Sequence, residues 1–471
     1  MGLDRVPEVK CLRKRILYIV QQGQSASWQN LLSTQWITGN ECLYFYIDGH
    51  VRVYHGKKAR LPKKYLARLK LCLAGTTEYW INDEKGLPLM CIIGELNERL
   101  KQAIEEIIPV LIERTRSLVN VDDLDKNPLL PRFTLIFDRE AYEPKFFQYL
   151  WEEYRVAVIT YRKNVKDKWD ENDFYNASYQ LFNNNISMQI CEREVALSGY
   201  RFREIRKLTD SGHQTSVITT NHMIRIEETA IRMFLRWTQE NYFKYMIAEF
   251  DFDKIIEYGS ETITREIKIV NPEYSRLSQQ VKKAREKKRR IEAKFYELLG
   301  STLGEEFDKT NSLTQRQAVL QEKIDFFDEE IKGLLDKRSK VPARIQLSDM
   351  PEDKRYNKLK KESKLFINII KMIAYRAETT LANLIAPYYK NAEKDGRMLI
   401  KELLQTDADI LPDYKDNTLT IMIHSLGTPR ANKAVESLCV LLNETKTDFP
   451  NTNLKMIFKI SSANQENGIF V

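Results

Sequence analysis

The pattern of apolar and polar positions changes character several times along the chain. Residues 42–56 (CLYFYIDGHVRVYHG) are dense in aromatic and β-branched types, which pack well on a pleated surface and predict a strand. Residues 70–81 predict a second strand and, after the turn NDEKG at 82–86, residues 89–94 a third, together an antiparallel meander. In residues 97–118, Leu100, Ile104, Ile107, Ile108 and Leu111 recur at helical spacing, with Pro109 set to kink or break the helix. The continuous apolar run FTLIF at 133–137, ending at Asp138, suits a strand buried on both faces. A helix follows over 144–154, with Pro144 near its first position, and then a second buried strand, VAVITY, at 156–161. Three strands, helix, strand, helix, strand is the order of an α/β fold with a mixed sheet.

Residues 165–221 depart from that order. Ile186, Met188 and Ile190 alternate with Ser187, Gln189 and Cys191, and 195–200 and 215–220 also read as strands, which predicts a β-rich insertion. A long helix is expected from 223 to about 250. Leu277, Val281, Ala284, Lys288, Ile291, Phe295 and Leu298 then follow a heptad spacing, repeated by Leu320, Ile324, Phe327, Ile331 and Leu334. With Gly300 and Gly304 between the two runs, a helical hairpin or antiparallel coiled coil is the economical reading. Residues 358–405 read as mostly helical, and 418–424 and 453–460 as strands of a small C-terminal α/β module. Residues 1–40 read as a helical lead-in with a polar break at 22–27. The resulting division is 1–40, a core over 41–164, the β-rich insertion 165–221, a return to the core over 222–262, the hairpin 273–340 and a C-terminal helical and α/β module over 350–471.

Composition narrows the function classes. At roughly 100–200 residues per domain, 471 residues predict two to four domains. A hydrophobic fraction of 43% with 30% charged residues excludes disordered, collagen-like and disulfide-rich chains. Lys and Arg number 74 against 66 Asp and Glu, an excess that points weakly to a polyanionic partner. The six cysteines form no C-x-x-C pair, which argues against a zinc site or a redox motif. No apolar run is long enough to span a bilayer and the N-terminus has no signal-like apolar stretch, so a cytoplasmic protein without a membrane partner is expected. There is no Walker A or G-x-G-x-x-G sequence, so ATP use is not expected.

Three acidic residues stand out by context. Asp48 ends YFYI, Asp138 ends FTLIF, and Glu240 lies in IRMFLRWTQENYFKYM. Carboxylates at strand ends face the sheet edge where ligands commonly bind. Three of them are hard oxygen donors suited to Mg²⁺ or Mn²⁺, and a pair of such ions can drive phosphoryl transfer. Spacing alone is weak support, because the chain has 66 acidic residues and most carboxylates are solvated or salt-bridged. Arg232, Arg236, Glu240 and Lys244 share one helix face at i, i+4 spacing. That is either a salt-bridged stripe or, given Phe234, Trp237, Tyr242 and Phe243, a phosphate-handling face with Arg236 as fork and Lys244 as point charge. Nine Lys or Arg against two Glu between 276 and 294, including Lys287, Lys288, Arg289 and Arg290, read evenly as a phosphate-tracking helix or as the solvated face of a coiled coil. His50 and His55 flank a strand near Asp48 and read as exposed strand-end residues.

The segments YIDGHVRVYHG, FTLIFDREAYEPKFF and MFLRWTQENYFKYM resemble the three catalytic blocks of DDE transposases of bacterial insertion sequences. GLDRVPEVKCLRKRI at the start and MIAYRAETTL later resemble the same group, and FDREAY and RWTQEN are the most specific pieces. The resemblance implies an RNase H-like catalytic core, with Asp48, Asp138 and Glu240 as a triad holding two Mg²⁺ or Mn²⁺ ions. It implies that residues 165–221 are the insertion domain of one branch of these enzymes. It also implies a nucleoid-associated protein acting on DNA, both transposon ends and target. In that frame Arg236, Lys244, Arg139 and residues 287–290 contact DNA, and the hairpin supports self-association. Longer members carry a DNA-binding region upstream of the block with which this chain opens. Two alternatives stay open: a truncated, non-catalytic DNA-binding and oligomerising remnant, and an RNase H-like nuclease without transposition.

Overall fold

The aromatic and β-branched run that follows the N-terminal helices becomes the central strand of a large mixed sheet. A computed structural model describes residues 8–66, 69–94, 99–181, 184–234, 236–254, 259–263, 266–301, 310–389 and 392–461. Helices α1 (Val9–Gln21) and α2 (Ser25–Gly39) lead into β1 (Tyr44–Val53), β2 (Lys63–Leu66), β3 (Leu71–Asn82) and β4 (Pro88–Ile93). Then come α3 (Leu100–Arg114), a short α4 (Val121–Lys126), β5 (Phe133–Phe137), α5 (Pro144–Tyr154) and β6 (Val156–Tyr161). Strands β7 (Tyr175–Leu181), β8 (Asn184–Leu197), β9 (Tyr200–Leu208) and β10 (Gln214–Thr219) precede α6 (Ile226–Phe234) and α7 (Trp237–Glu249).

Strand β1 pairs antiparallel with β3 on one side and parallel with β5 on the other, and β5 pairs parallel with β6. Alternation sorts the side chains. Phe45, Ile47, Leu135, Phe137 and Val158 join the cluster that includes Ile104, Ile107 and Leu111 of α3 and Phe147 and Leu150 of α5. Tyr46, Ile136 and Ile159 point the other way and meet Met233 of α6. The apolar runs at 133–137 and 156–161 are thus buried on both faces, as expected of central strands.

Several elements differ from expectation. The β-rich stretch is antiparallel, but it continues the main sheet instead of standing apart: β10 pairs with β6, and β9, β8 and β7 follow in order. That pairing covers the edge that β6 would otherwise leave open. The helix expected from 223 to about 250 is two helices, with Arg236 in the turn that precedes α7. Helix α3 runs on through Pro109, which lies on its exposed side, where the carbonyl left unpaired one turn earlier can meet water. Helix α2 gives no sequence signal because its apolar residues split between two cores. Trp28 and Leu32 pack toward the α7 side of the sheet, and Ile37 toward the α3 side.

Beyond α7 the chain leaves the sheet on a nested stalk. Strand β11 (Ser260–Thr262) pairs with β14 (Asn357–Leu359), and β12 (Lys268–Val270) pairs with β13 (Arg344–Gln346). Between them, α8 (Pro272–Ser301) and α9 (Thr310–Ser339) pack on one another through Leu277, Val281, Ala284, Ile324 and Ile331. Lys288 binds both oxygens of Asp328 at 2.6 Å, and Arg338 lies over the Tyr274 ring, which fixes the antiparallel register. Helix α10 (Glu362–Ile385) returns to the core, so its side chains cross the boundary drawn at residue 350: Ile369, Met372 and Tyr375 pack with Trp80 and Tyr242. The last unit comprises α11 (Ala392–Gln405), β15 (Ala408–Asp413), β16 (Thr418–Ile423), α12 (Pro429–Glu444) and β17 (Lys455–Ile460) around its own apolar cluster. Among the described residues, no helix is long and apolar enough to cross a membrane.

A buried ionic cluster ties α10 to the sheet. Glu78 on β3 lies 2.8 Å from Arg52 Nη2 on β1 and 2.7 Å from Lys364 Nζ on α10, and Asn368 bonds both Glu78 and Arg52. Burial by itself would raise the Glu78 pKa, but the two cations outweigh it and hold the carboxyl down at about 2. A depressed carboxylate contributes stability above its unfolded pKa, near 4.3, and that contribution is lost as pH falls toward the folded value. Glu78→Gln leaves two buried cations uncompensated and should cost about 3–5 kcal/mol in urea unfolding at pH 7. Its stability should also fall less than that of the wild type between about pH 4.5 and 2.

Candidate active site

The register of β1 and β5 places the first two acids. Ile47 is opposite Phe137 in the parallel pair, so Asp48 and Asp138 are the next positions on neighbouring strands. Both share the parity of Tyr46 and Ile136, which puts them on the face of the sheet that α6 and α7 cover. Asp48 accepts a bond from the Gly49 N–H at 2.9 Å, and Asp138 caps the turn that follows it by accepting from the Arg139 N–H at 2.6 Å.

Gln239 places the third acid. Its side chain is fully buried and donates toward the Trp80 carbonyl at 3.1 Å, Asn82 Oδ1 at 3.1 Å and the Tyr46 carbonyl at 3.4 Å. These bonds pin the first turn of α7 to β1 and β3 and leave Glu240, the next residue, at the rim. Tyr46 donates its hydroxyl to the Arg232 carbonyl at 3.0 Å and fixes the end of α6 in the same way.

Arg236 brings the three acids together. Nη1 is 3.3 Å from Asp48 Oδ2, and Nη2 is 3.6 Å from Asp138 Oδ2 and 3.0 Å from Glu240 Oε1. The Arg236 side chain is 12% exposed, against 50% for Glu240. Burial pushes the Asp48 carboxyl up to about 6; Arg236 and the Gly49 N–H oppose the rise, while Asp138 and Glu140 add to it. Glu140 was not singled out in the sequence, although it sits within FDREAY. Neither was Asp253, whose carboxylate lies 2.7 Å from His50 Nε2. His50 is buried and stacks on Phe243, not exposed at a strand end as expected.

The remaining basic candidates divide. Arg139 stands beside Asp138, with its guanidinium 5.4 Å from the centre of the Tyr161 ring. Lys244 is exposed one turn beyond Glu240. Arg232 does not join the cluster; it pairs with Glu84 and Glu228. On α8, Lys287, Arg289 and Arg290 are exposed, whereas Lys288 is engaged by Asp328.

The donor set is one of hard oxygens around a positive charge, which is what a divalent cation requires. As they stand, no three His, Cys, Asp or Glu side chains among the described residues are close enough to hold an ion. The guanidinium occupies the centre of the group, so an ion could take the carboxylates only as Arg236 withdraws.

Arg236 lowers the Asp48 pKa, so its loss should raise that carboxyl further. A carboxyl raised in the folded state favours folding below its unfolded pKa, and that contribution is lost as pH rises through the folded value. Arg236→Met should therefore lose roughly 1–2 kcal/mol at pH 8, between the exposed and buried limits for ion pairs, and less at pH 5, by urea unfolding. Equal losses at both pH values would separate Arg236 from the carboxylates.

No curated protein and no solved structure matches the chain. A family profile does: residues 1–462 match the family described as transposase protein. With nearly its whole length matched, the chain belongs to that transposase family.

Proposed function

We propose that the chain is a DDE transposase that cuts DNA at transposon ends and joins the freed 3′-hydroxyl to target DNA, with Mg²⁺ or Mn²⁺ held by Asp48, Asp138 and Glu240. The observation that carries this reading is the one guanidinium shared by three carboxylates from two neighbouring strands and a helix. Strand order supports it: β4, β3 and β1 are antiparallel, and β5 and β6 continue parallel to β1, the arrangement expected of an RNase H-like core. Family membership supports DNA as the partner.

When bound, a pair of ions would activate the attacking oxygen and stabilise the leaving one. The protein groups do the positioning. Arg236 offsets part of the charge of the three carboxylates while no ion is present; once released, its fork suits a DNA phosphate. Arg139 and Lys244 flank the cluster and would hold neighbouring phosphates as charges. In the first step water attacks phosphorus, the P–O3′ bond breaks, and the 3′-oxygen leaves and takes a proton. In the second step that 3′-hydroxyl attacks a target phosphate and displaces the target's own 3′-oxygen. Neither step requires a covalent bond to the protein.

Asp138→Asn keeps the size of the side chain and removes the charge a divalent ion needs. In Mg²⁺ or Mn²⁺, the wild type should nick a plasmid carrying the element's ends, and Asp138→Asn should nick it at least about 100-fold more slowly, the scale of losing one charge contact in the transition state. DNA affinity should stay within a few-fold. Equal nicking by the variant would remove Asp138 from the triad. A wild type that binds DNA but never cuts would favour the non-catalytic DNA-binding reading.

A further inference from the structure

Three neighbouring parallel strands present one row of residues on the face that α6 covers. Ile47, Phe137 and Thr160 are level across β1, β5 and β6, so the next positions, Asp48, Asp138 and Tyr161, stand side by side. Tyr161 packs with the apolar cluster that holds Tyr46, Ile136, Ile159 and Met233, on that same face. Burial raises the Tyr161 pKa; Arg236 and Arg139 oppose the rise, and Asp138 and Glu240 add to it, so the phenol stays neutral within reach of these charges. The Arg139 guanidinium lies over the ring, 5.4 Å from its centre. The other end of Arg139 is fixed as well, because its N–H donates to Asp138 at 2.6 Å. A second contact runs the opposite way between the same two strand ends. Lys163, after β6, lies 5.7 Å from the centre of the ring of Tyr142, which follows β5. Tyr142 is rooted in the core by an edge contact with Phe147, ring centres 5.7 Å apart. The two segments therefore brace one another, each setting a ring against the other's cation.

We propose that Tyr161 is a positioning residue for DNA: its ring holds Arg139 beside Asp138, where the guanidinium takes a backbone phosphate next to the carboxylate cluster. The choice of DNA as ligand rests on the DNA-cutting reading above. An exposed arginine samples many rotamers and must give up that freedom to bind. A ring beneath the guanidinium removes part of that cost before DNA arrives. A cation over a ring face is held by the ring's quadrupole and needs no acceptor there, so its N–H groups can still serve a phosphate. Lysine at the same position would keep the charge but lacks the planar surface that lies on a ring. Tyr161 thus acts through Arg139 and contributes orientation without regard to sequence, since phosphate contacts position a duplex but do not read it.

The test measures binding of the full chain to a short duplex carrying the element's end, by fluorescence anisotropy over a range of salt concentrations. It compares Arg139→Ala, Tyr161→Leu and the two together. Arg139→Ala should weaken binding and reduce the slope of log affinity against log salt by about 1, as loss of one neutralised phosphate predicts. Tyr161→Leu should weaken binding about two- to fivefold, the range of an exposed cation–ring contact, and should add nothing in the Arg139→Ala background. Tyr161→Phe keeps the ring and should bind as the wild type does. Arg139→Lys, a change at an exposed position, should bind more weakly than the wild type although the charge is kept. Additive losses in the double variant would make Tyr161 a purely structural residue and overturn the proposal. So would a Tyr161→Phe as weak as Tyr161→Leu, an Arg139→Lys that binds as the wild type does, or a wild type that binds no DNA. If Tyr161→Leu melts well below the wild type, the Arg139→Lys result decides. Nicking by the wild type and by Asp138→Asn is scored in parallel. A wild type that never nicks but shows the non-additive pattern sinks the cutting reading alone, and additive losses with nicking intact sink the role of Tyr161 alone.

Discussion

The parallel pairing of β1 with β5 is the constraint on which the rest of this site depends. Once Ile47 is opposite Phe137, the side-chain period of two puts Asp48 and Asp138 side by side on one face. A slip of one residue in either strand would send one carboxylate into the apolar layer beneath the sheet, among Phe45, Leu135 and Phe147. The apolar residues on both faces of these strands hold the register, so the same burial that stabilises the core also aligns the acids.

Helix α7 adds a second level of fixation. Gln239 spends its amide on three acceptors of β1 and β3, which locks the helix start against the sheet with little freedom left for the residue that follows. Arg236 lies one turn earlier and cannot reach solvent fully, so its guanidinium meets the nearest anions, which are the three carboxylates. The result is a cluster of three carboxylates around a single cation. Glu78 plays the matching role deeper in the molecule, where it ties β1, β3 and α10 through Arg52 and Lys364. The two clusters lie along the same two strands, and His50, stacked on Phe243, separates them.

The sequence by itself determined the local elements and the positions of the acids. Runs such as FTLIF and VAVITY can bury both faces only as central strands, and both do. The heptad positions Leu277, Val281, Ile324 and Ile331 can be buried only against a partner helix, and the chain supplies one. Asp48, Asp138 and Glu240 were visible because each sits at the end of, or inside, a strongly patterned element. What only the tertiary structure decided is which neighbours those elements choose. Periodicity reports that a face is buried but not by what, so it left open that β10 would pair with β6 and extend the sheet. It also missed α2, whose apolar residues serve two cores and form no single stripe. Spacing put Arg232 and Arg236 on one face, yet the turn before α7 separates them, sending one to Glu84 and Glu228 and the other to the acids.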